Sequence, residues 1–131
     1  MNDNVLSATQ NWLDRFVIQY SICPFARRER QNQTIRFQLL SGNSLASHLE
    51  SLILEAEYLD DHPETETTLI IFSEAYENFD DFLDMLAIAD DLLIAEGYEG
   101  VYQLASFHPG YCFADADIDD AANYTNRSPA P

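Results

Sequence analysis

The sequence contains no lysine, and its six basic side chains are all arginines, set against 23 aspartates and glutamates. The formal net charge of −17 at pH 7 implies an electronegative surface. Such a surface repels polyanions, so we expect neither nucleic acid nor an anionic membrane as a partner. Residues 37–126 carry 20 of the acids and not one arginine. Most of these acids are explained as a solvated surface, whereas the isolated Arg127 calls for a specific role.

Long apolar runs are also missing. No stretch approaches the ~20 apolar residues of a membrane-spanning helix, and no basic, apolar leader precedes the first predicted helix. We therefore expect a soluble, cytoplasmic protein. The length of 131 residues and the hydrophobic content of 47% fit one domain over residues 1–131. The two cysteines, Cys23 and Cys112, are too few for a disulfide framework.

Hydrophobic periodicity predicts one helix followed by alternating strands and helices. The first helix is predicted from about Ala8, after a capping box at residues 7–10, to Ser21, and Pro24 prevents its continuation. A helical turn is predicted over residues 26–30, strands over 34–40, 67–72 and 101–107, and helices after the capping residues Ser44 and Asn78.

Crossovers of this length join parallel strands. We therefore predict an α/β fold in which an N-terminal helix is followed by β-α-β-α-β. Its small, mostly parallel sheet is packed by helices, with residues 34–40 as an edge strand, and an irregular tail begins at residue 114.

Motif-like polar residues gather in three segments at the ends of these elements. They are Cys23-Pro24-Phe25-Ala26, Ser106-Phe107-His108-Pro109 with Phe113-Ala114-Asp115, and Asn123-Tyr124-Thr125-Asn126-Arg127-Ser128-Pro129. In this order, the segments resemble a bacterial family known as domain of unknown function 1415. The resemblance covers nearly the whole chain, and it implies no reaction because that family is uncharacterised.

The chain departs from the family pattern in several places. Arg27 stands where the family usually has lysine, which keeps a positive charge but gives no reactive amine. Cys112 stands where glutamine is expected. The family continues beyond the position of Pro131 into a segment resembling Leu-His-Leu-Leu-Arg-Glu, and we expect this chain to lack that tail.

His108 is the main catalytic candidate. It follows the last predicted strand directly, and ligands of parallel α/β sheets collect beyond the carboxyl ends of strands. A histidine there can act as general acid or base, with Asp115 to orient it. The alternative is a histidine whose two ring nitrogens tie the loop to nearby backbone. Cys23 is a candidate nucleophile if it is exposed, and its alternative is a buried, inert thiol.

An anionic substrate would be held by Arg127 and Arg27, since arginine binds carboxylates and phosphates well. The alternative for Arg127 is a structural role that fixes the tail. The further binding candidates are Ser106, Tyr111, Asn126 and Ser128. We predict no cofactor, and a zinc ion at Cys23, His108 and Cys112 is the alternative, because histidine and cysteine are zinc ligands but no Cys-x-x-Cys pair is present.

These observations favour a small enzyme-like protein that binds a small anionic molecule in a pocket formed by the three segments. His108 would transfer protons there, and a protein partner is not specified. The competing hypothesis is a non-catalytic ligand-binding or protein-interaction module in which the motifs are structural. An open pocket beside His108 would favour the first hypothesis, and a packed, fully hydrogen-bonded ring would favour the second.

Overall fold

A computed structural model describes the backbone of residues 2–131 and the side chains from residue 4 onward. Helix α1 spans Asn2–Trp12 and continues directly into a π-helical turn, Leu13–Ile18. The following elements are α2 (Ala26–Gln31), β1 (Ile35–Leu40), α3 (Leu45–Asp61), β2 (Thr67–Phe72), α4 (Phe79–Ala95) and a short 3-10 helix, Ala121–Asn126. None of the helices in this part of the chain is long and apolar enough to cross a membrane.

The sheet of the described residues consists of β1 and β2, which pair in parallel with Ile35 opposite Thr67 and Leu40 opposite Phe72. One face packs against α1, the π-helical turn and α2 through a cluster centred on Leu13 and Val17. The other face packs against α3 and α4 through a second cluster, which contains Phe72, Phe82, Met85 and Ala89. The predicted α/β class is therefore confirmed, with helices on both faces of a small parallel sheet.

The predicted strand over residues 101–107 is wrong. Residues 102–107 have no regular secondary structure, and no backbone hydrogen bond joins them to β2 in the described chain. Instead, the carbonyl of Pro131 accepts the backbone N–H of Phe72 at 3.1 Å. The end of the tail thus occupies part of the edge along which a third strand would pair.

The first helix also differs from its prediction at both ends. It begins at Asn2 rather than Ala8, because Val5, Thr9, Leu13 and Val17 place one inward-facing residue every four positions. The predicted capping box at residues 7–10 therefore lies inside α1. The π-helical turn ends at Ile18, before Ser21, which adopts a positive φ of 54°.

The caps of the two long helices are confirmed. The side chain of Ser44 accepts the backbone N–H of Ser47, and that of Asn78 accepts the N–H groups of Asp80 and Asp81. Gly97 follows α4 with φ 86°, a conformation that suits glycine at a helix end.

Two polar residues of α3 lie outside the apolar stripe formed by Leu45, Leu49 and Leu52. His48 and Glu55 are both buried. Glu55 forms an ion pair with Arg36 of β1 at 2.8 Å, and the Arg36 guanidinium lies over the ring of Tyr58 at 3.8 Å from its centroid. A polar side chain of β1 and one of α3 therefore pair across this sheet–helix interface, in the place of an apolar contact.

Candidate functional site

His108 lies at the end of the 102–107 segment and is only 2% exposed. Its Nδ1 accepts the N–H of Gly110 at 2.9 Å, so the ring proton lies on Nε2, which donates to the carbonyl of Tyr76 at 2.8 Å. The ring packs against Phe79 and Phe82, with centroids 5.2 and 5.0 Å away. Both nitrogens therefore hold backbone groups, and neither offers a free lone pair or proton to a substrate. A catalytic role for His108 stays a prediction. The two hydrogen bonds of its ring to backbone groups favour a structural role.

The side chains of Arg127 and Asn126 donate hydrogen bonds to backbone carbonyls of residues 106–118. The Arg127 Nε donates to the carbonyl of Tyr111 at 2.9 Å, and its Nη2 donates to that of Ile118 at 2.8 Å. The Asn126 side chain donates to the carbonyl of Ser106 at 3.0 Å, and the Asn126 carbonyl accepts the N–H of His108. The structure thus brings the second and third motif segments together, through contacts that fix the chain.

Asn123, which begins the third motif segment but was not among the candidate site residues, organises the intervening loop. Asn123 is fully buried; its Oδ1 accepts the N–H of Phe113 at 2.9 Å, and its Nδ2 donates to the carbonyl of Asp117 at 2.8 Å. The Cys112 thiol contacts the carbonyl of Ala116 at 3.4 Å. Asp115 is exposed, and since Gly110 and Tyr76 already hold the histidine ring, it does not orient His108 here.

No hydrogen bond joins the first motif segment to the other two in the described part of the chain. Cys23 is exposed, so the alternative of a buried thiol is wrong, while its nucleophilic role stays a prediction. Arg27 is also exposed and donates to the carbonyl of Ile18 at 3.3 Å. Within the part of the chain that the structure describes, no group of three or more histidine, cysteine and acidic side chains is arranged to hold a metal ion. The proposed zinc ligands Cys23, His108 and Cys112 thus form no such group.

A cavity of about 240 Å³ lies along the edge of β2 that faces away from β1, which we call the free edge. The 102–107 segment forms its opposite wall, together with Ser128 and Pro131 from the tail. The motif residues Ser106 and Ser128 therefore line a cavity, although His108 does not. Most of the lining is apolar, including Leu49, Leu52, Met85, Leu86, Leu104 and Phe107, and no acidic or basic side chain is among the lining residues apart from His48.

Two polar atoms in the wall of this cavity lack partners. The indole Nε1 of Trp12 and the hydroxyl of Thr68 are buried, and neither makes a hydrogen bond within the described chain. An unsatisfied buried polar group costs about 1–3 kcal/mol, and such groups are rare in native proteins. Trp12 and Thr68 thus place two unsatisfied polar groups beside the cavity.

Tyr76 connects the cavity wall to the motif region. Its hydroxyl donates to Nδ1 of His48 at 2.7 Å, because Nε2 of His48 must donate to the carbonyl of Ser41. Its own carbonyl accepts from His108, and burial raises the pKa of the Tyr76 hydroxyl. Tyr76 also adopts a positive φ of 61°, which is uncommon for a residue other than glycine. Tyr76, in the loop that follows β2, thus holds the side chains of His48 and His108 in place.

The sequence offered weak signals for the cavity residues. Thr68 is one of two threonines in a strand that is otherwise apolar and covered on both faces, and Trp12 is the one tryptophan of the chain. Neither pattern distinguishes a ligand contact from ordinary packing. His48 lies outside the apolar stripe of α3, and Tyr76 belongs to no motif.

The comparisons with known proteins give a family and no activity. The model of a family described as "Protein of unknown function (DUF1415)" matches residues 4–131. Neither a curated protein nor a solved structure matches the chain. The match spans nearly all of the sequence and confirms the resemblance that the three motif segments indicated. The chain belongs to the DUF1415 family of proteins of unknown function.

Proposed function

We propose that the protein is a ligand-binding module whose cavity along the free edge of β2 takes an uncharged, largely apolar ligand with hydrogen-bonding groups. The observation that carries this proposal is a mostly apolar cavity lined by two residues, Trp12 and Thr68, whose buried polar atoms have no partner in the described chain. Ligand sites have this character, since a mostly apolar lining provides affinity and a few polar groups fix the orientation.

The charge of the ligand follows from the lining. Apart from His48, whose two nitrogens are already bonded, no ionisable side chain lines the cavity. An anion would enter a site without a fixed cation in a chain of net charge −17, and a cation would lose its water shell without gaining a carboxylate. An uncharged ligand avoids both costs, and for this reason we favour it over the anionic molecule that the sequence suggested.

The size of the ligand follows from the volume. Apolar cavities of about 150 Å³ bind benzene, and drug-sized ligands occupy sites of roughly 300–1,000 Å³. A cavity of about 240 Å³ lies between these classes. The ligand, or the part of it that enters, is therefore larger than a single aromatic ring and smaller than a typical drug.

The single tryptophan makes this proposal directly testable, because Trp12 lies in the cavity wall. A suitable probe is prodan, an uncharged naphthalene ketone whose carbonyl can accept from the indole N–H and whose absorption overlaps tryptophan emission. We expect prodan to quench Trp12 fluorescence and to shift its own emission to the blue. The anionic dye 1-anilinonaphthalene-8-sulfonate should bind more weakly.

Thr68→Val tests the polar contact with a side chain of nearly the same shape. One lost hydrogen bond corresponds to prodan binding about two- to tenfold weaker. Thr65→Val is the matched control, because Thr65 precedes the strand and does not line the cavity. Tryptophan emission that is unchanged by prodan, or tighter binding of the anionic dye, would contradict the proposal.

A further inference from the structure

We infer that the ligand of this cavity is an extended polypeptide segment that adds a strand to the free edge of β2. The inference rests on the proposed function and names its ligand class. It depends on backbone groups of β2, whereas the proposed function depends on side chains.

The free edge of β2 presents unpaired backbone groups to the cavity. The N–H of Ser73 points toward β1, where it donates to the carbonyl of Leu40 at 3.1 Å, and the preceding N–H, that of Phe72, points the other way. Successive residues of a strand alternate in this respect, so Thr68 and Ile70 present their N–H and carbonyl groups to the same edge as Phe72. No backbone hydrogen bond to Thr68 or Ile70 from outside the sheet occurs in residues 2–131.

A main-chain oxygen of the tail already occupies one position on this edge. The Pro131 carbonyl accepts the N–H of Phe72 at 3.1 Å, as a carbonyl of an added strand would. Two further positions, at Thr68 and Ile70, repeat the same groups every ~6.6 Å along the strand. A polypeptide in the extended conformation supplies donors and acceptors with that repeat, and this match defines the ligand class.

The walls of the cavity specify the side chains of such a peptide. Alternate side chains of an added strand point to opposite faces of the sheet. On one face they would meet Trp12 and Phe107, which contact each other edge to face, and on the other they would meet Met85 and Leu86. We therefore expect small apolar or hydroxyl-bearing side chains on both faces and no charged ones.

Strand addition is tested with the blocked pentapeptide acetyl-Val-Thr-Val-Thr-Val-amide. The peptide should displace prodan, and it should quench or shift Trp12 emission, since it contains no tryptophan. A version N-methylated at its second and fourth residues keeps one hydrogen-bonding edge and should still bind. A version N-methylated at every residue has no such edge and should not bind. Equal binding of all three peptides would show capture by apolar contact alone and would overturn the inference.

Amide hydrogen exchange locates the bound peptide. In the free protein the amides of Thr68 and Ile70 should exchange faster than those of Leu69 and Ile71, which face β1. Peptide at about ten times its Kd should slow the first pair by about tenfold, as expected from linkage, and leave the second pair unchanged. If Thr68 and Ile70 are already protected in the free protein, the 102–107 segment or the tail closes the edge, and the inference is wrong.

The two proposals fail in different ways. Binding of prodan that no peptide displaces would leave the proposed function standing and overturn the peptide as its ligand. Absence of binding by both prodan and the peptides would overturn both.

Discussion

Thr68→Val is expected to stabilise the unliganded protein. The Thr68 hydroxyl is buried without a hydrogen-bond partner, and an unsatisfied buried polar group costs about 1–3 kcal/mol. Valine keeps the branched shape, suits a strand and removes the unpaired group. We expect about 1 kcal/mol of added stability, which is the low end of that range. For 131 residues this corresponds to a melting temperature higher by about 3–5 °C.

Urea unfolding followed by circular dichroism measures this change, and Thr34→Val is the matched control. The Thr34 hydroxyl contacts both the backbone carbonyl and the side chain of Glu29. Its replacement therefore removes a satisfied group, and we expect a loss of about 0.5–1.5 kcal/mol. The same substitution should change stability in opposite directions at the two positions.

The combination of measurements separates a ligand site from an imperfectly packed core. A stabilised Thr68→Val variant that binds prodan more weakly is the expected result, since the native hydroxyl then lowers stability and contributes to binding. Destabilisation as large as that of Thr34→Val would refute the reasoning, because the Thr68 hydroxyl would then have a partner in solution. If Thr68→Val is stabilised but binds prodan as tightly as the native protein, the Thr68 hydroxyl does not contact the ligand.

Three further predictions concern residues outside the cavity. His108→Ala should lower stability by about 3–5 kcal/mol in urea, because it leaves a cavity and two unpaired backbone groups, and unchanged stability would contradict a structural role. Arg127→Lys and Arg127→Met should expose the tail to limited proteolysis to the same extent. One ammonium group cannot reproduce the two contacts that the guanidinium makes with backbone carbonyls. If the lysine variant alone stayed protected, its charge would be what matters, and Arg127 would instead be part of an anion site. The hydrogen bond with Asp60 raises the pKa of Tyr102 to about 12, so Asp60→Ala should shift its ultraviolet phenol titration toward about 10. Because the folded pKa lies above the unfolded value, stability from this pair is present below about pH 10 and lost as the pH rises through about 12, and the alanine variant should lack that loss.

Local patterns predicted those parts of the fold that depend on residues near in sequence. The β1 and β2 strands, the caps Ser44 and Asn78, and the glycine after α4 all follow from periodicity or from hydrogen bonds within one turn. The failures depend on distant partners. Glu55 is buried because Arg36 lies opposite it on β1, and a helical stripe carries no information about that pairing.

The candidate site shows the same division. Sequence reasoning brought the His108 and Arg127 segments together, because both follow the last apolar segment. The sequence alone does not show what the polar groups of His108 and Arg127 bind. A histidine that acts as general base and one that holds a loop in place can occur in the same sequence pattern. Burial and two backbone partners distinguish them, and both are tertiary properties.

The density of polar motifs in residues 106–128 has a physical explanation that differs from catalysis. This stretch has little regular secondary structure, so its buried N–H and carbonyl groups need partners that a helix or sheet would otherwise provide. His108, Asn123, Asn126 and Arg127 supply those partners, each with at least two polar contacts to backbone. The unsatisfied groups lie elsewhere, at the free edge of β2, where no motif was recognised. The proposed ligand site is therefore marked by unpaired buried polar groups beside a cavity, and not by the conspicuous polar residues of the motifs.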